Sequence, residues 1–180
     1  MTSKSYFTAD WHLFHANIIK YCNRPFKNTA EMNAVILERL NEKVRENDWL
    51  YFLGDMAFSQ SSYLEYWLDK VKCKNICFIK GNHDRAAAQI KHRFYWYKDM
   101  NEINVDGQSI TLCHYAMRVW NRSHHGAWHL YGHSHGTLPD DPNALSIDVG
   151  VDTNNFYPYS MDDIAARMKQ KTFVPIDHHS

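Results

Sequence analysis

Five short motifs rich in aspartate and histidine occur along this 180-residue chain. In order, they are Asp10-Trp11-His12, Gly54-Asp55, Gly81-Asn82-His83-Asp84, His114 and Gly132-His133-Ser134-His135. Carboxylate oxygens, an amide oxygen and imidazole nitrogens together suit manganese, iron, zinc or nickel better than calcium. The set therefore predicts a pair of divalent metal ions bridged by Asp55. Two adjacent dications would lower the pKa of a shared water from about 15.7 toward neutrality, and the resulting hydroxide could attack phosphorus.

Each motif alone has an ordinary structural explanation. Asp10 or Asp55 fits a turn or a helix cap, and residues 133–135 fit a surface loop, since twelve histidines produce chance pairs. His114 also fits the end of a strand, with its ring nitrogens satisfied locally. The occurrence of all five motifs in this order favours the metal centre over these alternatives.

Strands predicted before three of the motifs explain how distant residues can converge. Apolar runs at residues 5–9, 48–53 and 75–79 predict buried strands. Each run is followed closely by a candidate ligand, respectively Asp10, Asp55 and Asn82. Helices between the strands favour parallel pairing through right-handed crossovers. In open α/β sheets, ligands usually bind at the carboxyl ends of such strands.

The helices themselves are indicated by capping residues and spacing. Asn28 and Glu31 form the pattern of a capping box, followed by apolar residues at helical spacing. Residues 63–71 predict a second helix. Ser160 and Asp163 predict the cap of a short final helix over residues 161–168.

The second half of the chain predicts a more antiparallel arrangement. Asp106-Gly107 suits a hairpin turn that needs positive φ, and it lies between strands predicted at residues 103–105 and 109–113. Further short strands are predicted at residues 129–131 and 146–149. The chain is therefore expected to be of the α/β (α+β) class, with two packed mixed β-sheets flanked by helices.

The composition argues against several kinds of partner. Twenty basic and twenty acidic residues give a formal net charge of zero, whereas nucleic-acid-binding domains usually carry a basic excess. No stable nucleic-acid complex is therefore expected. No apolar run reaches the roughly 18 residues that a membrane span needs, and the N-terminus lacks the pattern of an export signal. We expect a cytoplasmic protein without a membrane partner.

The length predicts one domain over residues 1–180. A tail from about residue 171, which includes His178 and His179, is expected to be loosely attached. The four cysteines match no zinc or redox spacing and predict buried, reduced thiols. They are Cys22, Cys73, Cys77 and Cys113.

The ordered motifs resemble the signature of calcineurin-like metallophosphoesterases. The resemblance spans Asp10 to His135, and residues 148–152 are similar to the family's closing segment. It points to the small, single-domain bacterial or phage-type branch. The resemblance implies a four-layer metallophosphoesterase sandwich, in which two mixed sheets flanked by helices hold a dimetal site at the strand ends.

The resemblance also implies a role for each motif residue. The first ion would be held by Asp10, His12 and His135, the second by Asn82, His114 and His133, and Asp55 would bridge both. His83 would bind no metal and would stabilise or protonate the leaving oxygen, so that His83 and Asp55 are the catalytic candidates. Asp84 would tie backbone amides of its loop. Manganese is the metal expected first, with iron, zinc or nickel as alternatives.

One departure from the family pattern bears on which class of phosphoester the protein would hydrolyse. Protein phosphatases of this family read Gly-Asp-x-x-Asp-Arg-Gly, whereas residues 54–60 here read Gly-Asp-Met-Ala-Phe-Ser-Gln. The second Asp, which orients the catalytic histidine, is missing. The resemblance then favours a phosphodiesterase acting on small or nucleotide phosphodiesters, including 2′,3′-cyclic nucleotides. A phosphomonoesterase with the same centre and a non-catalytic binding scaffold are the alternatives.

Polar and basic residues near the motifs are candidates for contacting the substrate. His15 and Arg24 follow the first motif, and Arg118 and His125 lie between His114 and His133. An arginine in such a position suits a phosphate. The alternatives are that His15 caps a short helix and that Arg24 is an ordinary surface charge.

A cluster of basic and aromatic residues at 91–98 also resembles a nucleic-acid surface. With the neutral net charge, it fits better an amphipathic helix that leads into a strand.

Overall fold

The computed structural model describes residues 3–177. These residues form nine strands and five helices. The strands are β1 Ser5–Thr8, β2 Trp49–Phe52, β3 Asn75–Ile79, β4 Trp96–Lys98, β5 Met100–Val105, β6 Gln108–Cys113, β7 Trp128–Tyr131, β8 Ser146–Asp148 and β9 Tyr159–Ser160. The helices are α1 Ala16–Tyr21, α2 Thr29–Lys43, α3 Ser61–Leu68, α4 Arg85–Gln89 and α5 Met161–Met168.

The first sheet has the strand order β4-β3-β2-β1-β9. The four strands β1 to β4 pair in parallel, and β9 adds antiparallel to β1 at the edge. Parallel strands that are covered on both faces read as continuous apolar runs, which is why the three central strands could be predicted from the sequence. The very short strands β4 and β9 were not predicted.

Two apolar cores cover the two faces of this sheet. Phe52 and Phe78 point into the core that also holds Trp11 and the inner face of α2. Phe7 and Ile79 point into the second core, against residues of the other sheet. The sheet is thus clamped from both sides, and its carboxyl edge gives the following loops a rigid base.

The second sheet has the order β5-β6-β7-β8. The predicted hairpin is confirmed, because β5 and β6 pair antiparallel around Asp106 and Gly107, whose φ angles of 50° and 87° are those of a tight hairpin turn. The rest of this half is less antiparallel than predicted. β6 pairs parallel to β7, and β7 pairs parallel to β8. Residues 114–127 and 132–145 connect these strands and are long enough for the crossovers that parallel pairing needs.

The helix caps predicted at Asn28 and Ser160 are present, but one side chain bonds to a different backbone amide than predicted. The Asn28 side chain accepts from Glu31 N at 2.9 Å, but the Glu31 carboxylate takes the Lys27 N–H rather than that of Asn28. At α5 the complete capping box between Ser160 and Asp163 is present. Helix α3 begins and ends before the predicted 63–71.

Residues 91–98 contain no amphipathic helix. A single 3₁₀ turn covers Lys91–Arg93 and is followed by the edge strand β4. The prediction of a helix there is wrong, because Phe94 turns inward into the core and ends the turn.

Residues 172–177, expected to be loosely attached, run along the loop before β8. Thr172 N donates to Pro142 O and Val174 N to Asn143 O, at 2.8 and 3.0 Å. His178 and His179 lie outside the described residues.

All four cysteines are free thiols. Within residues 3–177, no helix has both the length and the apolar character needed to cross a membrane. Two mixed sheets flanked by helices are the architecture that the sequence predicts.

Candidate metal centre

The loops after β1 and β2 run side by side above the first sheet. Asp10 N donates to Gly54 O at 2.9 Å, and His12 N donates to Asp55 O at 3.0 Å. These bonds extend the pairing of β1 and β2 beyond the sheet, although the backbone is no longer extended. Asp10 and Asp55 are thereby held next to each other while 45 positions apart in sequence.

Five of the seven predicted ligands have left-handed backbone conformations. The φ angles are 58° at Asp10, 48° at His12, 59° at Asp55, 68° at His133 and 48° at His135. Such angles are uncommon outside glycine, and each costs on the order of 1 kcal/mol or more. Their concentration in one site indicates that the fold enforces them in order to aim these side chains.

The first ligand group consists of Asp10, His12 and His135, whose candidate ligand atoms all lie within 4.8 Å of one another. Asp10 and His12 are almost completely buried. Asp10 Oδ2 accepts from His133 N at 2.8 Å. Asp10 Oδ1 and His12 Nε2, by contrast, are buried without a hydrogen-bond partner among the described residues.

These two unpartnered atoms fit a metal ion. Burying a polar atom without a partner is costly, and burial raises the pKa of Asp10 to about 7. Burial also lowers the pKa of His12 to about 3, which leaves a neutral imidazole suited to bind a cation. The buried His129 is different, because its two ring nitrogens lie near Thr111 O and near the backbone of Tyr115 and Met117.

The second ligand group consists of Asp55, His114 and His133, again with candidate atoms within 4.8 Å of one another. Asn82 joins it, since its Oδ1 lies 3.2 Å from His114 Nε2 and 3.1 Å from His133 Nδ1. His114 Nδ1 lies 2.7 Å from Leu53 O, so that Nε2 is the nitrogen left for a metal. An amide oxygen and two imidazoles are a suitable neutral set for a second cation.

Asp55, a member of the second group, also approaches the first. Its Oδ2 is 3.5 Å from His12 Nε2 in the first group and 3.5 Å from His114 Nε2 in the second. Its Oδ1 accepts from His83 N at 2.8 Å. Burial alone would raise the pKa of Asp55, but His114 and the His83 amide outweigh this effect and lower the pKa to about 2.

Two glycines permit this close packing. Gly54 has φ of 93°, and a Cβ there would lie 2.5 Å from His114 Nδ1. A Cβ on Gly81 would collide with the Asp55 carboxylate and lie 2.6 Å from Asp55 N. The backbones of the loops after β2 and β3 can therefore approach only because both positions are glycine.

Asp84 has the structural role that was predicted for it. Its buried carboxylate accepts from Gly81 N, Asp55 N and Met56 N, at 2.7 to 2.8 Å. These bonds join the loops after β2 and β3. The side chain points at backbone amides and not at the ligand groups.

Arg24 is not the ordinary surface charge that was the alternative to a contact with substrate. It is 5% exposed and forms a bidentate ion pair with Asp152, with both N–O distances at 2.7 Å. It also donates to Asp10 O and Trp11 O at 2.7 and 2.9 Å. These hydrogen bonds place the guanidinium beneath the loop of the first motif, where it fixes the backbone of Asp10.

Asp152 belongs to the site, although no role was predicted for it from the sequence. Its Oδ2 lies 2.7 Å from His135 Nδ1, which leaves Nε2 of that ring for a metal. Burial would lower the pKa of His135, but the bonds to Asp152 and Cys22 raise it to about 10. The signal in the sequence was its position in the closing segment of the family.

His15 and Phe58 lie beside the first ligand group. His15 Nδ1 is 3.3 Å from His12 Nδ1, and the Phe58 ring stacks on His15 with centroids 4.7 Å apart. Phe58 also makes an edge contact with His83, at 5.9 Å. Of the four predicted substrate residues, His15 lies against a candidate ligand side chain, whereas Arg24 reaches the backbone of Asp10.

Arg118 and His125 have other surroundings. Arg118 lines a small cleft beneath residues 173–177, together with Trp120. His125 is exposed and packs against His124. No described contact joins either residue to the ligand groups, and the prediction that they contact substrate gains no support from their positions.

Comparison with known proteins identifies the family. Residues 8–149 match the calcineurin-like phosphoesterase superfamily domain. The chain is 34% identical over 177 residues to an uncharacterized protein of Methanocaldococcus jannaschii, with 95% of this chain and 94% of that protein covered. The chain belongs to the calcineurin-like phosphoesterase superfamily, as the motifs predicted. Membership supports a hydrolase of phosphoesters, and the family's metal dependence agrees with the candidate ligand groups.

Solved structures confirm the predicted fold. A protein of unknown function, AQ665 from Aquifex aeolicus, aligns with a TM-score of 0.71 at 23% identity, over 92% of this chain and 99% of that one. An archaeal phosphodiesterase aligns with a TM-score of 0.52 at 16% identity, over 82% of this chain and 83% of that one. At these identities the likeness concerns the fold.

Proposed function

We propose that this protein is a phosphodiesterase that uses two divalent metal ions to hydrolyse small or nucleotide phosphodiesters. The observation that carries the proposal is the position of the Asp55 carboxylate, 3.5 Å from an imidazole nitrogen of each ligand group. The unpartnered, buried Asp10 Oδ1 and His12 Nε2 support the same assignment. Asp10, His12 and His135 would hold one ion, Asn82, His114 and His133 the other, and Asp55 both.

The metal ions, when bound, would activate a water for attack on phosphorus and neutralise the phosphate oxygens. The protein's own contribution is to position the substrate and to manage the proton of the leaving group. His83 suits the second task, because its backbone is tied to Asp55 while its ring lines an open cleft. It would donate a proton to the leaving oxygen as general acid.

The preference for diesters rests on the residue at position 58, which lines that cleft. The cleft has a volume of about 520 Å³ and opens beside Asn82 and His83. An ester substituent next to the phosphate can enter this space, and in a diester the phosphate carries a second substituent as well. The substitution of Phe58 for the Asp of the protein-phosphatase pattern also removes the carboxylate that would orient the histidine in those enzymes.

The test is hydrolysis by metal-stripped protein reloaded with manganese, iron, zinc or nickel. The substrates are bis(p-nitrophenyl) phosphate, p-nitrophenyl phosphate and a 2′,3′-cyclic nucleotide. We expect manganese to restore turnover of the diesters in preference to the monoester. His83→Ala should lower kcat by roughly 10² to 10⁴-fold, and Asp55→Asn by about 10³-fold.

Asp99→Asn is the matched control, because that carboxylate is 88% exposed and pairs with Lys80 on the surface. It should turn over like the wild type. A preference for the monoester would contradict the diesterase assignment. Stoichiometric binding of two ions without turnover of any ester would replace the enzyme by a binding scaffold.

A further inference from the structure

The cleft beside His83 has a wall that the metal centre does not require. Its lining includes Phe58, Ser59, Arg85 and Ala86 in addition to Asn82 and His83. It opens directly off the second ligand group through Asn82. If the two ligand groups hold a phosphate, a substituent on the side of the phosphate that faces His83 would enter this cleft.

Phe58 is an exposed aromatic residue that is nevertheless held in place. The residue is 55% exposed, although its ring stacks on His15 with an interplanar angle of 22° and makes a T-shaped contact with His83. Its backbone N donates to Leu13 O at 2.9 Å. A fixed aromatic surface beside a reactive phosphate is a stacking platform for another flat ring.

Arg85 supplies an uncommitted positive charge on the same wall. It is exposed at the start of α4, and within residues 3–177 its guanidinium has no hydrogen-bond or ion-pair partner. Guanidinium groups bind phosphate oxygens well. An aromatic platform and a free cation next to each other match a nucleotide better than they match an alkyl group.

We propose that this cleft binds the leaving portion of the substrate, and that this portion is a nucleoside whose base stacks on Phe58. The inference rests on the proposed function and specifies its substrate class. The leaving side is assigned because His83, the proposed proton donor, lines the same cleft. Arg85, on the same wall, would contact a further phosphate where the nucleoside carries one.

The experiment compares wild type with Phe58→Leu, using manganese-loaded protein. Leucine keeps apolar bulk against His15 and His83 but removes the ring. Tyr66→Leu is the matched control, since Tyr66 is 66% exposed on α3 and lines a different groove. The substrates are thymidylyl-(3′→5′)-thymidine and its two analogues in which one base is replaced by hydrogen.

We expect Phe58→Leu to raise KM for the dinucleotide roughly tenfold, with kcat little changed. The effect should vanish with the analogue that lacks the base on the nucleoside released as free alcohol. Tyr66→Leu should change nothing. An equal effect on all three substrates, or an effect that follows the base on the nucleoside retaining the phosphate, would overturn the assignment.

A binding measurement makes the test independent of turnover. Calorimetric titration with adenosine 5′-monophosphate and with ribose 5-phosphate should show roughly tenfold tighter binding of the nucleotide to wild type. Phe58→Leu should abolish this difference. Equal affinities in wild type would refute the stacking site, whereas absent hydrolysis with a base-dependent affinity would refute the proposed function alone.

Discussion

The first ligand group is buried, and further side chains orient its members. The second ligand group is exposed to solvent on one side. Asp10 and His12 are 0% and 3% exposed, and His135 is held by Asp152. In the second group, His133 and Asn82 are exposed. The proposed first ion would thus be enclosed by protein, and the proposed second ion would face the cleft where substrate arrives.

The difference continues in the residues behind the ligands. The first group rests on a chain of contacts from His135 through Asp152 to Arg24, which returns to the Asp10 backbone. Behind the second group, Leu53 O orients the His114 ring, and Asp84 fixes loop backbone rather than a ligand side chain. Outer contacts that orient metal ligands raise affinity. We infer that the first ion is held more tightly and is released last when a chelator is added.

Removing Arg24 should have the largest effect on this comparison. Arg24→Ala leaves the buried Asp152 carboxylate unpaired and takes a donor from both Asp10 O and Trp11 O. Breaking a buried ion pair from one side costs about 3–5 kcal/mol. We therefore expect the free energy of unfolding, measured by urea denaturation, to fall by that amount.

The control for Arg24→Ala is Arg93→Ala. Arg93 pairs with Asp69 at 2.8 Å on the surface, with side chains that are 30% and 65% exposed. Such a pair contributes about 1 kcal/mol or less. Similar losses in the two variants would mean that the buried network does not stabilise the site.

Neutralising Asp152 should weaken the first ion selectively. Asp152→Asn keeps the shape of the side chain but removes the charge that faces His135 and Arg24. Loss of such an outer partner typically lowers metal affinity about 10–100-fold. In calorimetric titration of stripped protein with manganese, we expect the tighter of two binding steps to weaken and the other to stay.

Asp99→Asn again serves as the exposed-carboxylate control and should leave both steps unchanged. An equal weakening of both binding steps by Asp152→Asn would contradict the inference that the first ion is held more tightly because of its outer contacts. The two ions would then be coupled through Asp55 more strongly than the burial of the two groups suggests.

The convergence of these candidate ligands was predictable because it depends on a regular feature of the fold. Asp10, Asp55 and Asn82 follow strands that pair in parallel, so their convergence follows once the strands are recognised. The left-handed backbone at His12 and His135 was not predictable from the residue types. It depends on bonds between loops that exist only in the folded protein.

The bracing residues escaped prediction for a different reason. Arg24 and Asp152 are 128 positions apart, and a lone arginine near a metal motif suggests an anion site as readily as a buried ion pair. Phe58 was noticed in the sequence only as the absence of an Asp. Its role as a wall of the cleft depends on His15 and His83, which reach it from other loops.

Replacing His15 is expected to have the smallest effect on the manganese affinity of the first ligand group. His15 Nδ1 lies 3.3 Å from His12 Nδ1, a long contact between a half-buried ring and a buried one. A bond between neutral partners contributes about 1 kcal/mol, or roughly a fivefold change in affinity. We expect His15→Ala to weaken the tighter manganese step by that factor, less than Asp152→Asn does, because no charge is removed.

His92→Ala, which alters an exposed histidine beside Glu65, should have no effect on either step. A loss as large as that of Asp152→Asn would mean that His12, and not His135, is the ligand whose orientation limits binding of the first ion.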